Sequence, residues 1–206
     1  MLLIGLTGKA GHGKDTLCQA IQRISPIPVW RVAFADALKQ EVSVTMGIPV
    51  ETLEREKNRF RLLLQFWGTE YRRHDDPAYW INKVRPKLQQ IAASAPNKEA
   101  LCIITDVRFP NEVEMIESEF GGKTFRVVRE SVEPSRHEVA RGHVSENAIS
   151  YPLPEIRNGN MHQLESEARR VLNTVWNEQV FDEPGITLPA EQLGVYSRFY
   201  RFLARN

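Results

Sequence analysis

A glycine-rich turn that directly follows an apolar run is the feature that most constrains this chain. Residues 2–7 read Leu-Leu-Ile-Gly-Leu-Thr and predict a buried strand, and residues 8–16 read Gly-Lys-Ala-Gly-His-Gly-Lys-Asp-Thr at the start of a helix-like segment, 14–24. A strand that ends in such a turn and opens a helix aims several backbone N–H groups and the positive end of the helix dipole at one place. The pattern therefore predicts an anion site suited to a phosphate group.

The turn matches the pattern G-x-x-x-x-G-K-[ST] with one departure, at Asp15. Gly11 and Gly13 let the backbone approach phosphate oxygens closely, and Lys14 supplies a mobile charge for the bridging and terminal phosphates. Asp15 stands where the pattern has Ser or Thr, and the hydroxyl comes one residue later, at Thr16. Asp15 could hold Mg²⁺ directly or through water, of which we favour the water-mediated contact, and Thr16 could contact a phosphate.

Charge balance and cysteine usage indicate the kind of partner and compartment. Lys and Arg number 27 against 26 Asp and Glu, a net charge of +1. The chain thus lacks the strong positive field that non-specific binding to nucleic-acid polymers needs, and we expect a small anionic substrate. Cys18 and Cys102 fall in predicted core elements, which is typical of a reducing compartment. No apolar run has membrane-spanning length, so we expect a cytoplasmic protein, in the host cytoplasm if viral, without membrane contact.

Alternating strand and helix signals indicate an α/β fold with a parallel sheet. Further strands are predicted at 29–34, 100–105, 123–129 and 155–158, and helices at 37–46, 111–120 and about 161–180. Asp36 is predicted to cap the 37–46 helix. Between the second and third strands, residues from about 47 to 95 predict a helical insertion with breaks at Gly68 and 75–77. Residues 130–145 predict a mobile loop that could close over a ligand.

Asp36, Asp106 and Arg108 each lie just after a predicted strand, where ligands bind in an open parallel sheet. Asp106 is placed like a Walker-B carboxylate that orders Mg²⁺ or its waters, and helix capping is its alternative role. Arg108 could clamp a phosphate bidentately, or it could pair with Glu112 or Glu114. These positions predict a site at the carboxyl edge of the sheet.

Polar residues of the insertion offer a second set of candidates. Gln65 and Thr69 lie four apart, so they could jointly face a base or sugar if the helix continues through Gly68. Trp80 is interpreted as a packing residue unless it edges the cleft. His143 is the most interesting histidine, yet no His and Cys spacing matches a zinc site, and we expect no structural metal.

Several short segments, taken in their order along the chain, resemble the phage-type deoxynucleoside monophosphate kinases. The segments are Gly13 to Thr16, Phe34 to Lys39, Leu64 to Glu70, Trp80, Asp106 to Glu112, and His143 to Glu146. The resemblance covers about residues 1–180. It implies a three-layer P-loop kinase fold with helices flanking a parallel central sheet, an acceptor-binding insertion at about 47–95 and a lid at about 130–145. It also implies transfer of the terminal phosphoryl of ATP to a dNMP, with Mg²⁺ as cofactor.

The same resemblance assigns roles to residues. Lys14, with Gly11, Gly13, Asp15 and Thr16, would bind ATP, and Asp15 and Asp106 would serve the metal. The residues at the acceptor nucleotide would be Leu38, Lys39, Gln65, Gly68, Thr69 and Trp80. Asp106, Arg108 and Glu112 would lie between acceptor and donor.

Positive charge around the moving phosphoryl is expected to supply most of the rate. Arg129, with Arg136 or Arg141 from the lid, could provide that charge on closure. A solvated surface arginine is the alternative for each.

Two other functions stay open at this stage. A kinase of another small phosphorylated acceptor, such as one containing pantetheine, would share the phosphate loop and the sheet. A non-enzymatic nucleotide-dependent switch would share them too, although Asn82-Lys83-Val84-Arg85 lacks the final Asp of the guanine-reading pattern. The segment 181–206 has no assigned role: it could pack on the core, form a homodimer contact or stay loose.

Overall fold

The computed structural model describes residues 1–95, 100–129, 145 and 148–181. Within this part, five strands form one sheet: β1 Leu2–Thr7, β2 Val29–Val32, β3 Leu101–Ile104, β4 Lys123–Val128 and β5 Glu155–Arg157. Their order in space is β2-β3-β1-β4-β5, and each neighbouring pair is parallel. Every residue of β1 is buried because this central strand has a partner on both sides and helices over both faces. The predicted parallel sheet is confirmed.

Helices cover both faces of the sheet. They are α1 Lys14–Ile24, α2 Phe34–Met46, α3 Val50–Arg55, α4 Lys57–Gln65, α5 Arg72–Asp75, α6 Tyr79–Ser94, α7 Pro110–Glu114 and α8 Met161–Phe181, with π-helical turns π1 Phe66–Tyr71 and π2 Met115–Glu119. One apolar core joins α1 and α8 to the sheet, and the other joins α2, α6, α7 and π2 to the opposite face. The protein is therefore a three-layer α/β fold, as expected.

The register of the strands positions the site. Leu2 pairs with Leu101 on one side of β1, and Ile4 pairs with Lys123 on the other. Because these strands run in parallel, their carboxyl ends reach the same edge of the sheet. The loop after β1, the residues after β3 and the end of β4 therefore meet there.

The predicted break at Gly68 is wrong. The chain stays helical from α4 through π1 into α5, since Gln65, Phe66, Tyr71 and Arg72 all keep right-handed helical angles. Glycine has low helix propensity, but here its missing side chain lets α2 come close. A Cβ on Gly68 would lie 3.2 Å from Cδ2 of Leu38.

The predicted start of the second helix is also wrong. The helix α2 begins at Phe34 rather than after Asp36, which lies in its first turn and makes no capping hydrogen bond at its N-terminus. Asp106, after β3, accepts hydrogen bonds from the backbone N–H groups of Phe34 and Ala35 instead. The early start of α2 shortens β2, which ends at Val32.

Both cysteines lie in the apolar cores. Cys18 belongs to α1 and Cys102 to β3, and both are unpaired thiols. Burial raises the pKa of Cys18 to about 11 and that of Cys102 to about 12. Such thiols carry little thiolate at neutral pH and are poor nucleophiles.

Some expectations fall on residues that the structure does not describe. The predicted lid apart from Ser145, with its Arg136 and Arg141, lies outside the described residues, as do His143 and the segment beyond residue 181. The division of the chain into a domain, an insertion, a lid and a tail stays a prediction. None of the helices in the described ranges combines the length and the apolar character needed to cross a bilayer.

Candidate active site

A cavity of about 450 Å³ opens at the carboxyl edge of the sheet, between the loop after β1 and the helical insertion. Its basic lining residues are Lys14, Arg31, Lys39, Lys57, Arg61, Arg73 and Arg108, and its acidic ones are Asp15, Asp106 and Glu112. The surplus of positive charge suits a ligand with several anionic groups. Sequence reasoning missed Arg31, Lys57, Arg61 and Arg73, because a basic residue outside a recognised motif usually indicates a solvated surface.

The loop after β1 needs its glycines. Gly8, Gly11 and Gly13 have φ values of 129°, 81° and 87°, which side chains rarely adopt. A Cβ on Gly8 would also lie 2.3 Å from the carbonyl oxygen of Val127. Lys14 folds back over this loop, and its Nζ donates to the carbonyl oxygens of Gly8 at 2.6 Å and Lys9 at 3.0 Å. The loop is thus shaped as the phosphate motif predicts.

The outer side of this loop rests on the ends of two other strands. The His12 ring nitrogen Nδ1 lies 3.1 Å from the carbonyl oxygen of Val127 in β4. Asn158, just after β5, donates from Nδ2 to the carbonyl oxygen of His12 at 2.8 Å. The sequence carried no local signal for Asn158.

Asp15 points into solvent beside a guanidinium. Its side chain is 68% exposed, and its Oδ1 lies 3.4 Å from Nε of Arg31. Arg31 also contacts Oδ2 of Asp36 at 3.1 Å. No three His, Cys, Asp or Glu side chains of the described residues gather where they could hold a metal ion by themselves. An exposed carboxylate at the start of α1 fits Mg²⁺ that is bound mainly by nucleotide phosphates and water.

Asp106 is already engaged with the backbone. Its Oδ1 accepts from the N–H of Phe34 at 2.9 Å and its Oδ2 from that of Ala35 at 2.8 Å. Burial raises the pKa of Asp106, and these two hydrogen bonds oppose that rise. The observed role is therefore the capping of α2, the alternative weighed above, and the role of Asp106 toward Mg²⁺ stays a prediction.

A buried ion pair joins the insertion to the segment after β3. The guanidinium of Arg73, in α5, contacts Oε1 of Glu112, in α7, and their side chains are 9% and 1% exposed. Oε2 of Glu112 accepts from the backbone N–H groups of Arg108 at 2.6 Å and Phe109 at 3.1 Å. Burial raises the pKa of Glu112 to about 7, although Arg73 and these N–H groups act to lower it. Glu112 is therefore a positioning group for Arg73.

Arg108 lies beside Ser145 in the lining of the cavity. Its Nη1 lies 3.4 Å from the carbonyl oxygen and 3.5 Å from Oγ of Ser145. The expected ion-pair partner Glu112 receives the backbone N–H of Arg108 and takes Arg73 as its guanidinium partner. The Arg73 guanidinium also lies 4.0 Å from the centre of the Phe109 ring.

The structure brings together the side chains expected at the acceptor. Leu38, Lys39, Gln65, Gly68, Thr69 and Trp80 all line the cavity, as do Gly11, Lys14 and Asp15 from the loop side. Gly13 and Thr16 belong to the loop and the first turn of α1 but are not among the lining residues. Arg129 is exposed after β4 and does not line the cavity either.

Two contacts fix the wall of the cavity that contains Lys39, Gly68 and Trp80. Trp80 is buried, and its Nε1 donates to the carbonyl oxygen of Gly68 at 2.8 Å. Nζ of Lys39 donates to Oε1 of Glu54 at 2.8 Å. In the described part of the chain, the buried Oε1 of Gln65 has no hydrogen-bond partner.

A carboxylate behind this wall holds four elements together. Glu41 of α2 accepts from Nε1 of Trp67 at 2.9 Å, from Nε of Arg72 at 2.6 Å and from Oη of Tyr79 at 2.5 Å. These partners belong to π1, α5 and α6. The network therefore fixes the position of the insertion relative to α2.

Comparison with protein families places the chain beside kinases. The family model described as phosphomevalonate kinase matches residues 6–122, more than half of the 206-residue chain. This range contains the loop after β1 and the whole of the insertion. A search of curated proteins finds no match.

Solved structures offer distant similarities. TT1252 from Thermus thermophilus is 18% identical with a TM-score of 0.46, and the match covers 84% of this chain and 96% of that one. Shikimate kinase from Aquifex aeolicus is 15% identical with a TM-score of 0.41, covering 87% and 99%. Shikimate kinase from Bacteroides thetaiotaomicron is 16% identical with a TM-score of 0.39, covering 84% and 98%.

Proposed function

The chain belongs to the phosphomevalonate kinase family, and we propose that it moves the terminal phosphoryl group of ATP onto the phosphate of a deoxynucleoside monophosphate, giving the diphosphate. It is a P-loop kinase of small molecules. The further proposal depends on one observation: a single cavity carries basic side chains from the loop of Lys14 across to Arg73. Transfer between two phosphorylated molecules needs positive charge at both ends of the moving group.

The donor end would hold the ATP phosphates. The ammonium group of Lys14 donates to carbonyl oxygens of its own loop. When a phosphate binds, this group would donate to the phosphate oxygens instead. Backbone N–H groups at the start of α1 would bind the same phosphates. Mg²⁺, near Asp15, would neutralise charge on the donor phosphates when bound.

The acceptor end would hold the second phosphate and the base. Lys39, Arg73 and Arg108 line this end and carry the charge for a phosphate. Gln65 and Thr69 supply an amide and a hydroxyl for the polar edge of a base, and Trp80 closes the wall. Because phosphoryl transfer needs little covalent help, holding the two phosphates in line would be the main contribution of these side chains.

A second acceptor is favoured by the family match. Phosphomevalonate has a phosphate and a carboxylate but no base, and the basic residues Lys57 and Arg61 could serve that carboxylate. A pantetheine-containing phosphate and a nucleotide-dependent switch remain the other outcomes of the test below.

A coupled assay of ADP release tests the proposal. Each deoxynucleoside monophosphate is supplied with ATP and Mg²⁺, beside the ribonucleotides, phosphomevalonate, a pantetheine-containing phosphate and a reaction without acceptor. Turnover that depends on a deoxynucleotide is expected. Turnover with phosphomevalonate alone would transfer the proposal to that acceptor, and nucleotide binding without any turnover would favour the switch.

A further inference from the structure

We propose that Asn158 is a positioning residue for the donor phosphates, acting through the peptide between His12 and Gly13. The proposal rests on the proposed function for its nucleotide donor, and it does not depend on which acceptor is used. Asn158 lies after β5, far from the glycine-rich turn in sequence, and its side chain contacts the backbone of that turn.

The position of Asn158 is fixed from two directions. Its backbone N–H donates to the carbonyl oxygen of Val128 at 2.8 Å, and its side chain is largely buried. Its Nδ2 donates to the carbonyl oxygen of His12 at 2.8 Å. The amide is therefore held by the sheet and in turn holds the loop.

Because a peptide unit is planar, a bond that orients the carbonyl group of His12 also orients the N–H group of Gly13. In a trans peptide the C=O and N–H bonds point in opposite directions, and the described residues contain no cis peptide. Asn158 draws the carbonyl oxygen of His12 toward β5, so the N–H of Gly13 is aimed the other way. Gly13 is the residue that immediately precedes α1, where N–H groups bind anions.

Asn158 packs so closely against Gly13 that only a glycine leaves room for its amide group. A Cβ on Gly13 would lie 2.0 Å from Nδ2 of Asn158, so a side chain there would displace the amide. Gly13 also has a φ of 87°, which glycine adopts without strain. The contact of the His12 ring with the carbonyl oxygen of Val127 holds the same residue of the loop. A loop held in its binding shape spares the ligand the entropy of ordering it.

Nucleotide affinity measures this role directly. Asn158→Asp keeps the shape of the side chain but replaces the donor with an oxygen that faces the His12 carbonyl. We expect it to weaken ADP binding in Mg²⁺ buffer about tenfold or more, and Asn158→Ala to weaken it several-fold. The KM for ATP should rise accordingly, while the KM for the acceptor and kcat at saturating ATP change less than about twofold.

Asn160→Ala is the matched control. Its Oδ1 accepts from the N–H of Gln163 at 2.9 Å at the start of α8, so the variant loses an amide contact in the same loop without touching the turn. We expect its affinity for ADP to stay within about twofold of the wild type. Melting curves of all variants separate local loss of affinity from loss of the fold.

Three results would overturn the proposal. The first is wild-type affinity for ADP in a folded Asn158→Asp or, if that variant fails to fold, in Asn158→Ala. The second is an equal rise in the KM values for ATP and acceptor. The third is a wild-type protein that binds no nucleotide, which would overturn the donor assignment as well. Calorimetry with ADP needs no acceptor, so a failed acceptor panel leaves this test intact.

Discussion

The donor end of the cavity is held mainly by bonds to backbone oxygens, whereas the acceptor end is held mainly by bonds from side chains to carboxylates. Lys14 and Asn158 donate to carbonyl groups of the loop after β1. At the other end, Arg73 pairs with Glu112, and Glu41 gathers three side chains of the insertion. Carbonyl groups are present whatever the side chains are, so the donor end can keep its shape while neighbouring residues change.

At the acceptor end, the bonds that Glu41 makes and the pair of Arg73 with Glu112 each depend on two particular side chains. Removing one member of a buried pair leaves the other charge without compensation, which is strongly destabilising. Substitutions at the acceptor end are therefore expected to change the stability and the acceptor specificity. Substitutions at the donor end are expected to change the nucleotide affinity and the rate.

The largest effect is expected at the donor end, in Lys14→Ala. Loss of the mobile charge should lower kcat/KM about 1000-fold, roughly 4 kcal/mol, with the fold intact. Lys9→Ala, which removes an exposed charge from the same loop, is the control. Steady-state kinetics and circular dichroism check both variants, and preserved turnover in Lys14→Ala would mean that the donor binds elsewhere.

Arg73→Ala tests how far the stability of the protein depends on the acceptor end. At about pH 8, where Glu112 is ionised in the folded protein, its carboxylate would remain buried without the guanidinium, so we expect about 3 kcal/mol of lost stability. Denaturant unfolding measures this loss, and calorimetry should show affinity for ADP close to that of the wild type. Arg85→Ala breaks a half-exposed pair with Glu119 and should cost under about 1 kcal/mol. Equal losses in the two variants would remove the proposed contrast between the pairs.

The raised pKa of Glu112 predicts a dependence of stability on pH. The folded protein keeps this proton up to about pH 7, whereas the ordinary value is 4.5, so between these values it binds more protons than the unfolded chain. Its contribution to stability therefore falls as the pH rises through this window and is constant above it.

Glu112→Gln tests that sign. The stability of the wild type relative to the variant should fall by up to about 1.4 kcal/mol per pH unit from pH 5 to pH 7. Urea unfolding at constant ionic strength gives both curves. Parallel curves would show that Glu112 titrates alike in the folded and unfolded chains.

A smaller effect is expected for Asp106→Asn. One carboxylate oxygen that accepts a backbone N–H at the start of α2 becomes an NH₂ group, which should cost about 1 kcal/mol. Asp36→Asn, in the same helical turn but without these bonds, is the control. A large loss of kcat with unchanged stability would instead favour the predicted role toward Mg²⁺.

The sequence predicted the shape of the loop after β1 well because the signal for that loop is local. A strand, a glycine-rich turn and a helix follow one another, and each glycine of the turn meets a backbone requirement. The strands were also predicted, since apolar runs indicate them, and the nine residues that motif order assigned to the acceptor all line the cavity.

What the sequence did not predict depends on distant contacts. Arg73 lies in the run Arg72-Arg73-His74-Asp75-Asp76, which has the composition of a solvated segment, and only packing under Phe109 shows that it is buried. Asp106 caps a helix that begins 72 residues earlier along the chain, so the nearer Asp36 was taken for the cap. The helical path through Gly68 depends on its closeness to Leu38.

The bond between Asn158 and His12 also has a consequence for the order of folding. The two residues are 146 apart in sequence, so the glycine-rich turn leaves the ribosome long before its support exists. At 5–20 residues per second, the interval is on the order of ten seconds. Contacts of such long range close late, after the local helices have formed. A nascent chain therefore gains its full affinity for nucleotide only when β5 joins the sheet, and ligand binding then favours the completed fold over partly folded ones.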